Sequence, residues 1–169
     1  VSGIFLYGLR IYADFSGLSH IAIGSALLFG IRVPINFSFP YLRKDLAQFW
    51  RYWHMSLTSW VRDYVYMPLV FRFRHARFIQ TIALIATMAI VGLWHGSSWN
   101  FLFFGMYHGI GLAVLQLFRS YRKHLPYHLP NWAGRAFGWS VTFIFVMLGW
   151  PLFVTTSFGD SLLLYRAIF

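Results

Sequence analysis

The stretch FIQTIALIATMAIVGLW, Phe78 to Trp94, carries no charged residue and runs straight into His95-Gly96-Ser97-Ser98-Trp99. At 1.5 Å per residue its seventeen residues make about 25 Å of helix, close to the ~30 Å hydrocarbon layer of a bilayer. Inside lipid a backbone must satisfy its own hydrogen bonds, so this length of apolar chain reads as a spanning helix. Asn100–Phe118 and Ala136–Val154 are likewise uncharged and apolar. A fourth run, Ile11–Ile31, is apolar but contains Asp14, Ser16, Gly17, Ser19 and His20. Val1–Leu9 is either the end of a preceding span or part of the same one.

Composition agrees with a membrane protein. Hydrophobic residues make up 59% of the chain, aromatics 22% and charged residues 11%, where a soluble domain has about 25% charged. So apolar a chain lacks the polar groups to cover a water-facing surface, and it is equally unlike a disordered one. There is no cysteine, which excludes a disulfide framework, a thiolate metal site and a cysteine nucleophile within these residues. The expected fold class is an all-α integral membrane protein. It forms a single membrane domain over 1–169, with about four to five spans plus an interfacial amphipathic helix. The chain starts at Val1 and stops at Phe169 inside an apolar run, so we expect a piece of a larger membrane protein.

The amphipathic element comes from Phe39–Phe71, where Trp50, Trp53, Trp60 and several tyrosines alternate with Arg43, Lys44, Arg51 and Arg62. Tryptophan and tyrosine gather at the membrane–water boundary. Read as one helix, Asp45–Val61 puts Trp50, His54, Leu57 and Val61 on a single face. Basic residues set the orientation. Arg72, Arg74 and Arg77 precede the Phe78 span, and Arg119, Arg122, Lys123 and Arg135 follow the Asn100 span. The turn His95–Trp99 between those spans has neither Lys nor Arg. Both basic loops are therefore assigned to the cytoplasm, with Arg32, Arg43, Lys44, Arg51 and Arg62 beside them. The net charge of +10 is accounted for by this topology and by anionic membrane lipid, with no nucleic-acid partner required.

An ionisable residue at membrane depth is costly and is a functional residue by default. His95 follows about 25 Å of helix and so lies toward the far side of the bilayer. Burial disfavours an imidazolium, and a neutral imidazole can take a proton from a hydroxyl. Gly96 beside it is free to adopt backbone shapes other residues avoid. His54 reads as a second catalytic group, a substrate orienter or a satisfied core histidine. His20 and His108 read as polar packing groups, and His75, His124 and His128 as solvated. Asp14 either caps a helix or pairs with an arginine, and Arg62–Asp63 reads as an interfacial charge pair. Ser97 and Ser98 next to His95 allow a serine nucleophile, ranked below direct transfer because no carboxylate lies near in sequence to orient the histidine. No metal-ligand spacing is present. An alternative of another class is a haem-binding subunit using His54, His95 or His108, and another is a transport subunit with no chemistry.

Tyr12-Ala13-Asp14-Phe15-Ser16-Gly17-Leu18-Ser19-His20, Pro34-Ile35-Asn36-Phe37, Phe49-Trp50-Arg51-Tyr52-Trp53-His54-Met55-Ser56-Leu57, Gly92-Leu93-Trp94-His95-Gly96-Ser97-Ser98-Trp99 and Gly105-Met106-Tyr107-His108-Gly109 together resemble the membrane-bound O-acyltransferase superfamily. Within it the chain is most similar to the alginate O-acetyltransferase membrane subunit, with D-alanyl transfer to teichoic acid as the close alternative. The resemblance implies many helices around a tunnel, of which this chain is the central to C-terminal part, with the N-terminal helices missing. It implies His95 and His54 as catalytic residues and Trp50, Trp53, Trp94 and Trp99 as substrate-binding walls, with His54 on the donor side and His95 toward the acceptor. It also implies no bound cofactor or metal. The donor would be an acyl thioester, acetyl-CoA or an acyl carrier. The acceptor would be an exopolysaccharide hydroxyl or an extracytoplasmic acetyltransferase partner, and the setting a bacterial inner membrane crossed several times.

Overall fold

The N-terminal apolar runs fuse into one helix, α1 (Ser2–Leu28), in the computed structural model, which describes residues 2–76, 78–122, 130–155 and 157–168. Ser2–Leu9 thus belongs with the following span, Val1 lying outside the described residues, and the span stops short of the expected Ile31. Gly30 takes the left-handed conformation (φ 73°) just past the helix. That lets Gly30 N–H donate to Leu27 O and Ile31 N–H to Ala26 O, both at 3.0 Å, a helix-ending pair of bonds that favours glycine. Further on come α2 (Leu46–Tyr52), α3 (Met55–Val61), α4 (Met67–Arg72), α5 (Ile79–His95), α6 (Trp99–Arg122), α7 (Asn131–Val154) and α8 (Phe158–Ile168). There is no strand among the described residues. By length and hydropathy α1, α6 and α7 can each cross a membrane, and α5 is a shorter apolar helix of 17 residues.

Helices α5 and α6 form a close hairpin around the His95–Trp99 turn. A Cβ on Gly92 would collide with the carbonyl oxygen of Phe101, and one on Gly105 with that of Met88. Small residues let membrane helices bring their backbones into contact, where dispersion and lipid release hold them. Against this hairpin lies α7, and α1 packs on α7 through a Phe5–Phe143 stack at 5.8 Å. The core between them is aromatic: Phe49, Trp50, Trp53, Phe104 and Trp150 are all buried. At the turn end, buried Asn100 donates to the Thr155 carbonyl at 2.9 Å and to its hydroxyl at 2.9 Å. Thr155 in turn bonds the carbonyl of Pro151 at 2.8 Å, so the break between α7 and α8 carries satisfied polar groups.

The Asp45–Val61 segment departs from the single interfacial helix that the periodicity suggests. It starts at the basic end of the hairpin, where Asp45 pairs with Arg119 at 2.8 Å. It then runs along α6. Leu46 abuts Gly111, Trp50 meets His108, and Trp53 packs on Trp150 at 5.3 Å. The helix breaks at Trp53–His54 beside Trp94. From Met55 a helical path of α3, a π turn at Arg62–Tyr66 and α4 leads back to Arg72, just before α5 starts. Arg51 and Arg62 therefore stand partway along this excursion rather than at the basic end. Both are exposed, and Arg62 is held by Asp63 at 2.8 Å, as the sequence suggested. Asp14 settles as an arginine partner inside α1, bound to Arg10 at 3.3 Å, and caps nothing.

Asp45 has two tasks. Its side chain accepts the Gln48 N–H at 2.9 Å as the N-cap of α2, and it is mostly buried against Arg119. Removing such a cap costs about 1 kcal/mol. Asp45→Ala in the full-length protein should therefore lower the thermal midpoint in detergent. Asp45→Asn, which keeps the capping oxygen, should lower it less. Equal losses would put all of the effect in the Arg119 pair.

Candidate active site

His54 owes its position to a break the backbone would not make unaided. Trp53 is extended (φ −106°, ψ 125°) and His54 is left-handed (φ 44°, ψ 58°). A left-handed non-glycine residue costs on the order of 1 kcal/mol, and such residues collect at functional sites. The passing chain Asn36–Ser38 holds the break open. Ser38 N–H donates to Tyr52 O at 3.2 Å and Met55 N–H to Asn36 O at 2.9 Å. The Asn36 side-chain oxygen accepts both the N–H (3.0 Å) and the hydroxyl (2.7 Å) of Ser56. Two donors freed by the interrupted helix, the Met55 and Ser56 N–H groups, thus find acceptors.

The His54 ring is half-buried. It meets Phe15 edge-on at 4.8 Å and Trp94 at 5.8 Å. Burial pushes its imidazole below the ordinary histidine range, and a bond to its own backbone partly offsets this. Folding therefore favours the neutral ring. The unfolded chain takes up the proton more readily, so this contribution to stability is complete above the ordinary histidine value. It is lost as pH falls through the lower folded value. A His54→Gln protein should lose less thermal stability than wild type between about pH 7 and pH 5; parallel curves would show that His54 is not the group responsible.

His95 is the last residue of α5, half-buried among rings. Trp94 lies at 4.9 Å and Phe153 of α7 at 5.0 Å, with Phe101 and Phe104 of α6 farther off. Both imidazoles thus contact the Trp94 indole. His54 and His95 share one end of α5 rather than opposite sides of the membrane. Gly96 is extended (φ 160°, ψ 165°), so the unusual backbone expected of it is not used. It supplies room instead: a Cβ there would sit 2.6 Å from the Phe101 ring.

A groove of about 380 Å³ opens beside this pair, lined by His54, Ser56, Leu57, Trp60, Ile90 and Trp94 among others. His95 is not in its lining, but its ring touches Trp94, which is. A smaller hollow of about 220 Å³ near Tyr7 and Trp150 has no histidine in its wall. Of the four tryptophans singled out from sequence, Trp94 lines the groove. Trp50 and Trp53 are buried in the core behind it, and Trp99 is 71% exposed. His108 is 1% exposed and accepts the Trp50 N–H at 3.3 Å, which places it in the packing. His20 bonds its own helix at Ser16 O, 2.7 Å away, and His75 is exposed. His124 and His128 lie outside the described residues. Neither Ser97 nor Ser98 has a hydrogen bond to His95 among the described residues. No group of three or more potential ligands that could hold a metal ion occurs among the described residues.

Sequence reasoning missed Asn36 and Ser56. Their only signal was an asparagine in an extended, proline-containing stretch upstream of a helix, and pairing across that distance has no period to read. It also missed Phe153, brought to His95 by α7.

The match to the model of MBOAT, the membrane-bound O-acyltransferase family, covers residues 1–158. The probable alginate O-acetylase AlgI of Azotobacter vinelandii is 37% identical over 99% of this chain and 32% of its own length. The peptidoglycan O-acetyltransferase of Helicobacter pylori is 35% identical over 92% of this chain and 29% of its own length. The teichoic acid D-alanyltransferase of Streptococcus thermophilus is 34% identical over 89% of this chain and 40% of its own length. The chain thus spans about a third of the length of these curated relatives. With that match over nearly all its residues, the chain belongs to the membrane-bound O-acyltransferase family.

Proposed function

We propose that the protein carrying this chain is an O-acyltransferase of a bacterial inner membrane. It passes an acyl group, acetyl in the first instance, from a cytoplasmic thioester toward a hydroxyl on the other side. The observation that carries this reading is the placement of two imidazoles, His54 and His95, against one indole, Trp94, at the end of a close helix hairpin. His95 is the general base. It takes the hydroxyl proton as the oxygen attacks the thioester carbonyl, the carbon–sulfur bond breaks, and the proton goes to the departing sulfur. The products are an ester and a free thiol.

His54, on the groove, orients the thioester or completes the proton path, and Trp94 forms the wall between groove and base. Trp50 and Trp53 hold that wall from behind, and Trp99 stands at the outer rim of the turn. Two branches of the family fit the same geometry. Alginate and peptidoglycan acetyltransferases among the relatives support acetyl transfer to a polysaccharide, directly or through an extracytoplasmic partner. The teichoic acid enzymes support D-alanyl transfer.

Mass spectrometry of envelope polymers from a strain lacking the protein separates them. Loss of an acetyl ester is the expected result, and loss of a D-alanyl ester moves the protein to the other branch. An unchanged ester pattern, with haem absorbance or solute transport in the purified protein instead, would overturn the reading.

A further inference from the structure

The bonds that hold the His54 break also constrain where that ring carries its proton. The Asn36 side-chain oxygen lies 3.0 Å from the backbone nitrogen of Ser56. A backbone N–H only donates, so the atom facing it must be the amide oxygen, and the orientation of the Asn36 amide is fixed. The same oxygen lies 2.7 Å from the Ser56 hydroxyl. An amide oxygen has no proton to give, so the hydroxyl donates its hydrogen to Asn36. What Ser56 then turns toward His54 Nδ1, 3.5 Å away, is lone pairs. The separation is long for a hydrogen bond, but its sense is fixed by elimination: Nδ1 can approach that oxygen favourably only as N–H.

We infer that Asn36 and Ser56 are positioning residues that hold neutral His54 in the tautomer protonated on Nδ1, leaving Nε2 as its basic nitrogen. This rests on the acyltransferase reading for its consequence, but not for the measurement of the tautomer. A histidine partner that sets the tautomer decides which nitrogen is available to a substrate or a proton path. The arrangement combines two tasks in one amide. The Asn36 oxygen completes the α3 start through the Ser56 N–H, and through the Ser56 hydroxyl it sets the ring. The strained left-handed backbone of His54 is what brings Nδ1 round to Ser56 rather than along a continuous helix.

The test uses the full-length protein in membranes, labelled with ¹⁵N-histidine. The His54 signals are assigned by their absence from His54→Gln. In wild type at neutral pH, Nδ1 should appear as the proton-bearing nitrogen and Nε2 as the bare one. Ser56→Ala keeps the backbone bond to Asn36 and removes only the relay, so the population should shift toward the Nε2–H form. Ser56→Thr, which retains a hydroxyl, should restore the wild-type signals. In acyl transfer, Ser56→Ala should lower kcat about tenfold with KM changed less than about twofold, and Ser56→Thr should recover it. Finding the proton on Nε2 in wild type overturns the inference, as does a Ser56→Ala spectrum identical to wild type. If the tautomer behaves as stated while His54→Gln transfers acyl groups normally, the positioning stands and the role given to His54 in the reaction falls.

Discussion

Replacing His95 with alanine in the full-length protein should bring esterification of the envelope polymer down to the level of a strain without the protein. Membrane insertion and protein level should stay unchanged. A positioned general base contributes about 10²- to 10⁴-fold. His54 faces the groove against Trp94, and His108 is sealed in the core with Nδ1 taken up by Trp50. The His95 side chain sits among Trp94, Phe101, Phe104 and Phe153, so alanine leaves a gap among aromatic rings rather than a broken polar network. Ester content by mass spectrometry, alongside membrane fractionation, reads both effects. Normal ester content in the variant would remove His95 from the mechanism.

The second large effect is on stability. Gly92→Ala should destabilise the α5–α6 hairpin by about 2 to 3 kcal/mol or more, the scale of overpacking in a tight interior. The added Cβ meets the Phe101 carbonyl and lies 3.0 Å from the Gly105 nitrogen. Both are backbone atoms, so relief requires the helices to move apart. Gly92 is three residues from His95, so activity should fall with stability as the turn is displaced. Gly105→Ala, which meets the Met88 carbonyl on the same seam, should behave alike. Thermal unfolding in detergent measures this. A Gly92→Ala midpoint equal to wild type would mean that the two helices do not touch as described.

The spans were legible because their signal is local. An uncharged apolar run is read from a short window, and α5, α6 and α7 fall where Phe78–Trp94, Asn100–Phe118 and Ala136–Val154 place them, with ends shifted by a few residues, α5 being the shorter apolar helix of the three. The place of His95 at the end of a helix was legible for the same reason, since it follows directly on such a run. The excursion from Asp45 to Arg72 was not. Its helical period is genuine on each side of Trp53–His54, and the break is imposed by Asn36, far away in sequence. Periodicity therefore reported two helices as one. The short path between His54 and His95 was hidden likewise, because it depends on the returning helix running beside α5. The walls expected of Trp50 and Trp53 were misplaced because aromatic residues mark interfaces, cavities and cores alike; here their burial puts them in the core.

The reaction proposed for this site moves an acyl group from sulfur to oxygen. It is tested most directly with the purified full-length protein in proteoliposomes, supplied with an acyl thioester and a hydroxyl acceptor. Released thiol and newly formed ester should rise together, one for one, and both should vanish in His95→Ala. Thioester left intact with every acceptor offered, or ester formed at the wild-type rate by His95→Ala, would contradict it.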